Sequence, residues 1–87
     1  MNGQDLIGTE PSRIAVGTLG PVAIANHGSF TVWIGDDQVT PQTGWPLMPG
    51  EHEIFANDGS LCGCILPTAG ATPSLEVIQS RISWRGL

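Results

Sequence analysis

The sequence predicts an all-β domain, a small antiparallel β-sandwich over residues 13–87 preceded by an extended N-terminal arm over residues 1–12. Three observations predict it. Apolar residues alternate with small or polar ones in short runs, the period-2 signature of half-buried strands. Clusters of Gly, Pro, Asn and Asp separate the runs. No window carries a convincing long 3.6-residue period. Together they give six to seven short strands.

The arm is polar and turn-rich, with Gly3, Gly8 and Pro11, and its large apolar side chains are Leu6 and Ile7. Such a segment lies on a neighbouring subunit or stays a disordered tail. From Arg13, the residues Ile14, Val16 and Thr18 alternate with Ala15 and Gly17 as a first strand, which Gly20-Pro21 ends. Val22, Ile24 and Asn26 form the inward positions of a second. His27-Gly28 turns the chain into a third, with Phe30, Val32 and Ile34 on one face and Ser29, Thr31 and Trp33 on the other. The Asp36-Asp37 turn leads to a brief extended piece at Val39-Thr40. Pro41 ends it and places it at an edge, since proline donates nothing to a ladder. Leu47 and Met48 cap one end of the core. Pro49-Gly50 is a hard turn before a strand from Glu51 to Ala56, with His52 and Ile54 on one face. Asn57-Asp58-Gly59 is a hairpin signal. Leu61 to Leu66 returns as a strand whose Gly63 marks a close approach or a bulge. Pro67 to Pro73 is a loop of small residues. Ser74 to Trp84 forms the last strand, with Ile78, Ile82 and Trp84 on one parity and a bulge near Val77. A helix fits Leu75, Ile78 and Ile82 as well, but the β-branched content favours strand.

Eighty-seven residues make one domain with one thin core. The surface is unusually poor in charge. There is no lysine, three arginines face eight carboxylates, and charged residues are 13% of the chain, against about 25% in ordinary globular domains. Interface cores are depleted in the same residues, which points to a surface covered by copies of the chain or by a larger assembly. A net charge of −5 argues against a nucleic-acid partner. No apolar run reaches the ~20 residues of a membrane span, and the first residues have no basic-then-apolar secretory pattern. These features predict synthesis in a cytoplasm.

Chemistry-bearing residues are few. Cys62 and Cys64 stand two apart on a strand and share a face. That geometry suits a disulfide poorly, so they read as small buried hydrophobes, and a single Cys-x-Cys is not zinc-ligand spacing. His27 reads as a turn residue. His52 lies between Glu51 and Glu53 and faces away from both. A metal site on a three-fold axis is the remote alternative for the two histidines. Asp36-Asp37 reads as a turn, since a calcium loop offers more oxygen ligands. No nucleophile, base and orienting group come together, so neither catalysis, cofactor nor metal is expected. Of the tryptophans, Trp84 reads as core, Trp45 as cover for the open end of the core, and Trp33 as an outward side chain. An outward Trp is an interface anchor or a sugar-stacking platform.

The runs Val32-Trp33-Ile34-Gly35, Val39-Thr40, Gly44-Trp45-Pro46-Leu47, Pro49-Gly50-Glu51 and Leu61 to Ile65 resemble small tailed-bacteriophage virion proteins. The resemblance covers roughly residues 22–84, with Cys62-Gly63-Cys64 departing from the usual pattern. It implies a jelly-roll-like capsid decoration (cement) protein. Such a protein is a homotrimer bound to the major capsid protein on the outside of the head. Leu6, Ile7, Arg13, Trp33 and Trp45 are the candidate interface residues. The alternative is a carbohydrate- or receptor-binding module of a fibre or tail, with Trp33 or Trp45 as the stacking platform.

Overall fold

The structure, a computed structural model, describes residues 2–66 and 79–87. Eight strands follow in chain order: β1 (Asn2–Ile7), β2 (Ser12–Arg13), β3 (Gly20–Asn26), β4 (Val32–Gly35), β5 (Trp45–Leu47), β6 (His52–Asn57), β7 (Cys62–Ile65) and β8 (Ser80–Gly86). They form two antiparallel four-stranded sheets, ordered β1-β8-β3-β6 and β2-β7-β4-β5. The pairing is that of one long hairpin, β1 with β8, β2 with β7, β3 with β6 and β4 with β5. Alternate rungs of that hairpin fall in different sheets. The pairs β3–β8 and β4–β7 then close each sheet.

The core follows from strand parity. Ile7, Val22, Ile24, Ile82 and Trp84 come from the first sheet, and Val32, Ile34, Leu47 and Ile65 from the second, and all belong to one buried cluster. Each fully buried aliphatic side chain contributes about 1.5–3 kcal/mol, so this single cluster is the main source of stability in a domain this small. The turns are specified locally. Glu51 N–H donates to the Met48 carbonyl at 2.9 Å, with Pro49 and then Gly50 between them at φ +84°. That is a type II turn, which needs a left-handed residue at its third position. Gly59 meets the same need at φ +100° after Asn57-Asp58.

Buried polar groups are paired. Asn26 is 1% exposed. Its Nδ2 donates to the carbonyls of Phe30 (2.7 Å) and Leu47 (2.8 Å), and its Oδ1 accepts from Gly28 N–H and Ser80 Oγ. It thereby ties β3 to β8 in its own sheet and to β5 in the other. Among the described residues no buried side-chain polar atom lacks a partner.

Several expectations change. Residues 2–7 of the expected arm over 1–12 are not an arm but strand β1, paired with β8 along its length, and Ser12 already belongs to β2. Gly3 passes directly over the Trp84 ring, where an added Cβ would fall 2.5 Å from it. Asp5 Oδ2 accepts from Trp84 Nε1 (2.8 Å) and from Ala15 N–H (3.0 Å). The strand expected over 13–18 is only Ser12–Arg13, because Val16 N–H turns back onto the Ile14 carbonyl as the chain crosses between sheets. Val39-Thr40 is not extended: Val39 N–H closes a turn on the Asp36 carbonyl, and Thr40 opens the next. Trp45, expected as cover for the open end of the core, is instead exposed on edge strand β5, whose Leu47 is buried. Gly63 is a close approach to Val32 rather than a bulge, since the β4–β7 register is unbroken. The expected loop at 67–73 and the expected bulge or helix between Ser74 and Ile78 lie outside the described residues. Their continuation, β8, has Ile82 and Trp84 buried and Arg81 and Arg85 exposed, as parity requires.

Candidate contact surfaces

Across its strands, the outer face of the first sheet presents three rows that carry its polar and charged side chains, beside a fourth of Pro21, Ala56 and Leu87. One row reads Asn2, Arg85, Ala23, Ile54 and the next Gln4, Ser83, Ala25, His52. The third holds Leu6 beside Arg81, with His27 N–H bonded to the Arg81 carbonyl. His27 Nε2 and Ser83 Oγ are 2.7 Å apart, which draws the imidazole onto this face. The middle of the face is floored by Ala23, Ala25 and Ser83. Because those side chains are small, they leave an open depression of about 480 Å³. Leu6 and Ile54 stand exposed around it, at 57% and 58%. No carboxylate occurs in these rows, although the chain has eight. Two of its three arginines and both histidines are here.

A second surface lies where the edge strands β5 and β6 approach. Trp45, 59% exposed, borders an open groove of about 370 Å³ with Met48, Glu51, His52 and Glu53. The carboxylates here also cap backbone: Glu51 Oε1 accepts from Met48 N–H at 2.8 Å and Glu53 Oε1 from Ile54 N–H at 3.3 Å. The second bond occupies a donor of edge strand β6 that would otherwise be open to another strand.

The third surface is the end of the molecule formed by the β4–β5 and β6–β7 connections. Asp36 and Asp58 flank a cleft of about 210 Å³ floored by Ile34, Phe55 and Leu61. Asp36 Oδ1 accepts from Gln38 N–H, so the Asp36-Asp37 pair is a turn. Hydrogen bonds from the Ser60 hydroxyl and amide hold the Asp58 carboxyl below its ordinary range. Leu19, 74% exposed, stands beside Gly59 at this end. The Asn57 side chain fastens its loop by donating to the Thr18 carbonyl at 2.8 Å.

Of the expected interface residues, Leu6 is on the outer face and Trp45 on the edge groove. Arg13 is exposed on β2 opposite Cys62, away from both. Ile7 is 0% exposed and belongs to the core; adjacent residues of a paired strand point to opposite faces, so it cannot share the surface of Leu6. Trp33 does face away from the main core, but it packs on Val39, Cys62 and Cys64 in a second small cluster. The turns over residues 36–44 cover it, and Gly44 comes so close that an added Cβ would lie 2.6 Å from the Trp33 Cβ. It is therefore a half-buried packing residue. Both cysteines are free and buried. Burial pushes both thiols up, with Arg13 partly opposing this at Cys62.

Sequence reasoning missed Asp5, Leu19 and the role of Asn26, which it placed inward without partners. Asp5 lay in a polar stretch with its partners Ala15 and Trp84 distant in sequence, and Asn26 needs Leu47 and Ser80 from other strands. Leu19, beside the Gly20-Pro21 break, was visible as an apolar residue with no strand to bury it. Among the described residues no group of three or more His, Cys, Asp or Glu side chains is placed to hold a metal ion, and no helix is long and apolar enough to cross a membrane. No family model, no curated protein and no solved structure matches this chain.

Proposed function

We propose that this chain is a structural virion protein: a jelly-roll sandwich that assembles with copies of itself and binds the outside of an icosahedral phage head, stabilising it without catalysis. The jelly-roll reading is supported by the pairing, in which the rungs of one long hairpin alternate between two sheets; viral capsid and lectin domains use that architecture. The virion reading is supported by the resemblance of residues 22–84 to tailed-phage head proteins. The observation that carries the contact role is the outer face of the first sheet, where Leu6 and Ile54 stay exposed around a floor of Ala23, Ala25 and Ser83. An isolated domain gains nothing from such a face. At about 25 cal/mol per Å² of apolar surface buried, even a modest footprint repeated over many copies resists outward pressure from packaged DNA.

The test is co-sedimentation with expanded heads of the matching phage. The expected result is saturable binding at a fixed copy number per head and a higher temperature of DNA release. Failure to bind at any concentration contradicts the proposal.

A second reading is favoured by the Trp45 groove, where an exposed indole stands beside Glu51, His52 and Glu53. An apolar platform flanked by polar groups suits a sugar ring. Glycan-array binding that Trp45→Ala abolishes, with head binding absent, selects this reading over the first.

A further inference from the structure

We infer that the acidic end of one copy, with Leu19 at its tip, docks into the depression on the outer face of the first sheet of the next copy. The inference rests on the self-assembly proposed above and names its two surfaces. Three complementarities on the molecule support it. The first is charge. Asp36, Asp37 and Asp58 gather at the end, three carboxylates against the one arginine nearby, Arg13, in the row of Cys62 and Gly35, whereas the rows of the outer face contain Arg81 and Arg85 and no side-chain carboxylate. In a chain of net charge −5, separation of the two signs onto different surfaces favours contact between them. The second is shape. Leu19 projects from the end at 74% exposure, and the face offers an open hollow floored by two alanines and a serine. The third is polarity. The end has an apolar floor of Ile34, Phe55 and Leu61 inside an acidic rim, and the face has exposed Ile54 and Leu6 beside its arginines.

The rival acidic edge at Glu51 and Glu53 fits less well. It adjoins His52 and so borders the face on the same molecule. Because the docked surfaces differ, the contact is heterologous. Repeated with closure it gives a ring, whereas a symmetric dimer would need one self-complementary patch. A three-membered ring is the smallest such closure above two copies.

The experiment measures mass in solution across a concentration series for the wild type and four variants. Leu19→Ala and Arg81→Glu/Arg85→Glu each weaken association at least about tenfold, since like charges brought together at an interface cost several kcal/mol and a lost apolar anchor costs a similar factor. Asp37→Lys does the same from the other side; Asp37 accepts none of the turn hydrogen bonds among the described residues, so the end stays folded. The chain combining Arg81→Glu and Arg85→Glu with Asp37→Lys and Gln38→Lys, which keeps the Asp36 turn bond, again sets opposite charges across the contact and recovers association. A thermal melt of each monomer confirms that exposed substitutions leave the fold intact. If the wild type is oligomeric and these variants keep its mass, the inference fails while self-assembly stands. If the wild type is monomeric throughout, both fail.

Discussion

At Asn26 one side chain makes four hydrogen bonds in a site 1% exposed, two as donor to the carbonyls of Phe30 and Leu47 and two as acceptor. Only an amide offers both roles with that geometry. Asn26→Asp turns an acceptor toward two carbonyl oxygens, and Asn26→Ala takes this partner from the Leu47 carbonyl and the Gly28 N–H, while the Ser80 hydroxyl still donates to the Phe30 carbonyl at 3.5 Å. We expect Asn26→Ala to cost about 2–4 kcal/mol in urea unfolding, because each buried group left without a partner costs about 1–3 kcal/mol before the site relaxes, and we expect Asn26→Asp to cost more. An unchanged midpoint for either variant contradicts this role. The cysteines give a different prediction. Burial holds both thiols above their ordinary range, so the folded state keeps protons that the unfolded chain releases. Their contribution to stability is complete below the unfolded value of about 8.5 and is lost as pH rises from there through the folded values. Urea midpoints should therefore fall on the alkaline side, less so in Cys62→Ala/Cys64→Ala, and native thiols should react with a thiol reagent only as fast as the protein opens.

Strand β1 is the element on which the fold depends more than its polar sequence suggests. Leu6 and Ile7 are neighbours in the chain, yet one stands 57% exposed and the other is fully buried. Ile7→Ala should cost about 2–5 kcal/mol, the usual range for truncating a buried isoleucine. Leu6→Ala should change stability by no more than about 0.5 kcal/mol. Equal effects would mean that β1 does not pair with β8. The other elements were far more legible. Val22 and Ile24, Val32 and Ile34, and Ile82 and Trp84 each fall on the buried parity that period-2 reading assigns, and the turns at Pro49-Gly50 and Asn57-Asp58-Gly59 stand where their residues put them. β1 was hidden because its reasons lie about 80 residues away along the hairpin. Gly3 is small to let the Trp84 ring lie beneath it, and Asp5 is an acceptor for the indole N–H. Neither need is visible until β8 is known to be the partner. Trp33 was placed on the correct face, but its cover comes from consecutive turns over 36–44, and turn packing leaves no periodic trace.

For the whole molecule, the two sheets share one buried cluster and leave their contact-forming features on three separate surfaces. The basic outer face, the Trp45 groove and the acidic end with Leu19 meet along β6, and His52 borders the first two, so substitutions at Arg81, Trp45 and Leu19, which share no partner, should have effects that add. Of this site architecture the sequence displayed the poverty of charge, and it named Trp45 as a contact candidate while also reading it as cover for the core, which its 59% exposure on β5 does not support. The segregation of charge was not legible, because Arg81, Arg85, His27 and His52 meet only through the β3–β6 and β3–β8 registers. An attraction between opposite charges at a rim is screened over about 3 Å at 1 M salt, so assembly should weaken as salt rises, leaving the apolar part of the contact. The most direct test of the central claim, that this protein works as an assembled subunit, is the mass of the purified chain in solution by light scattering at low salt and rising concentration. An assembled subunit gives a plateau above a single chain, at three times the 9.1 kDa chain mass for a trimeric ring. A mass of one chain at every concentration would contradict that claim.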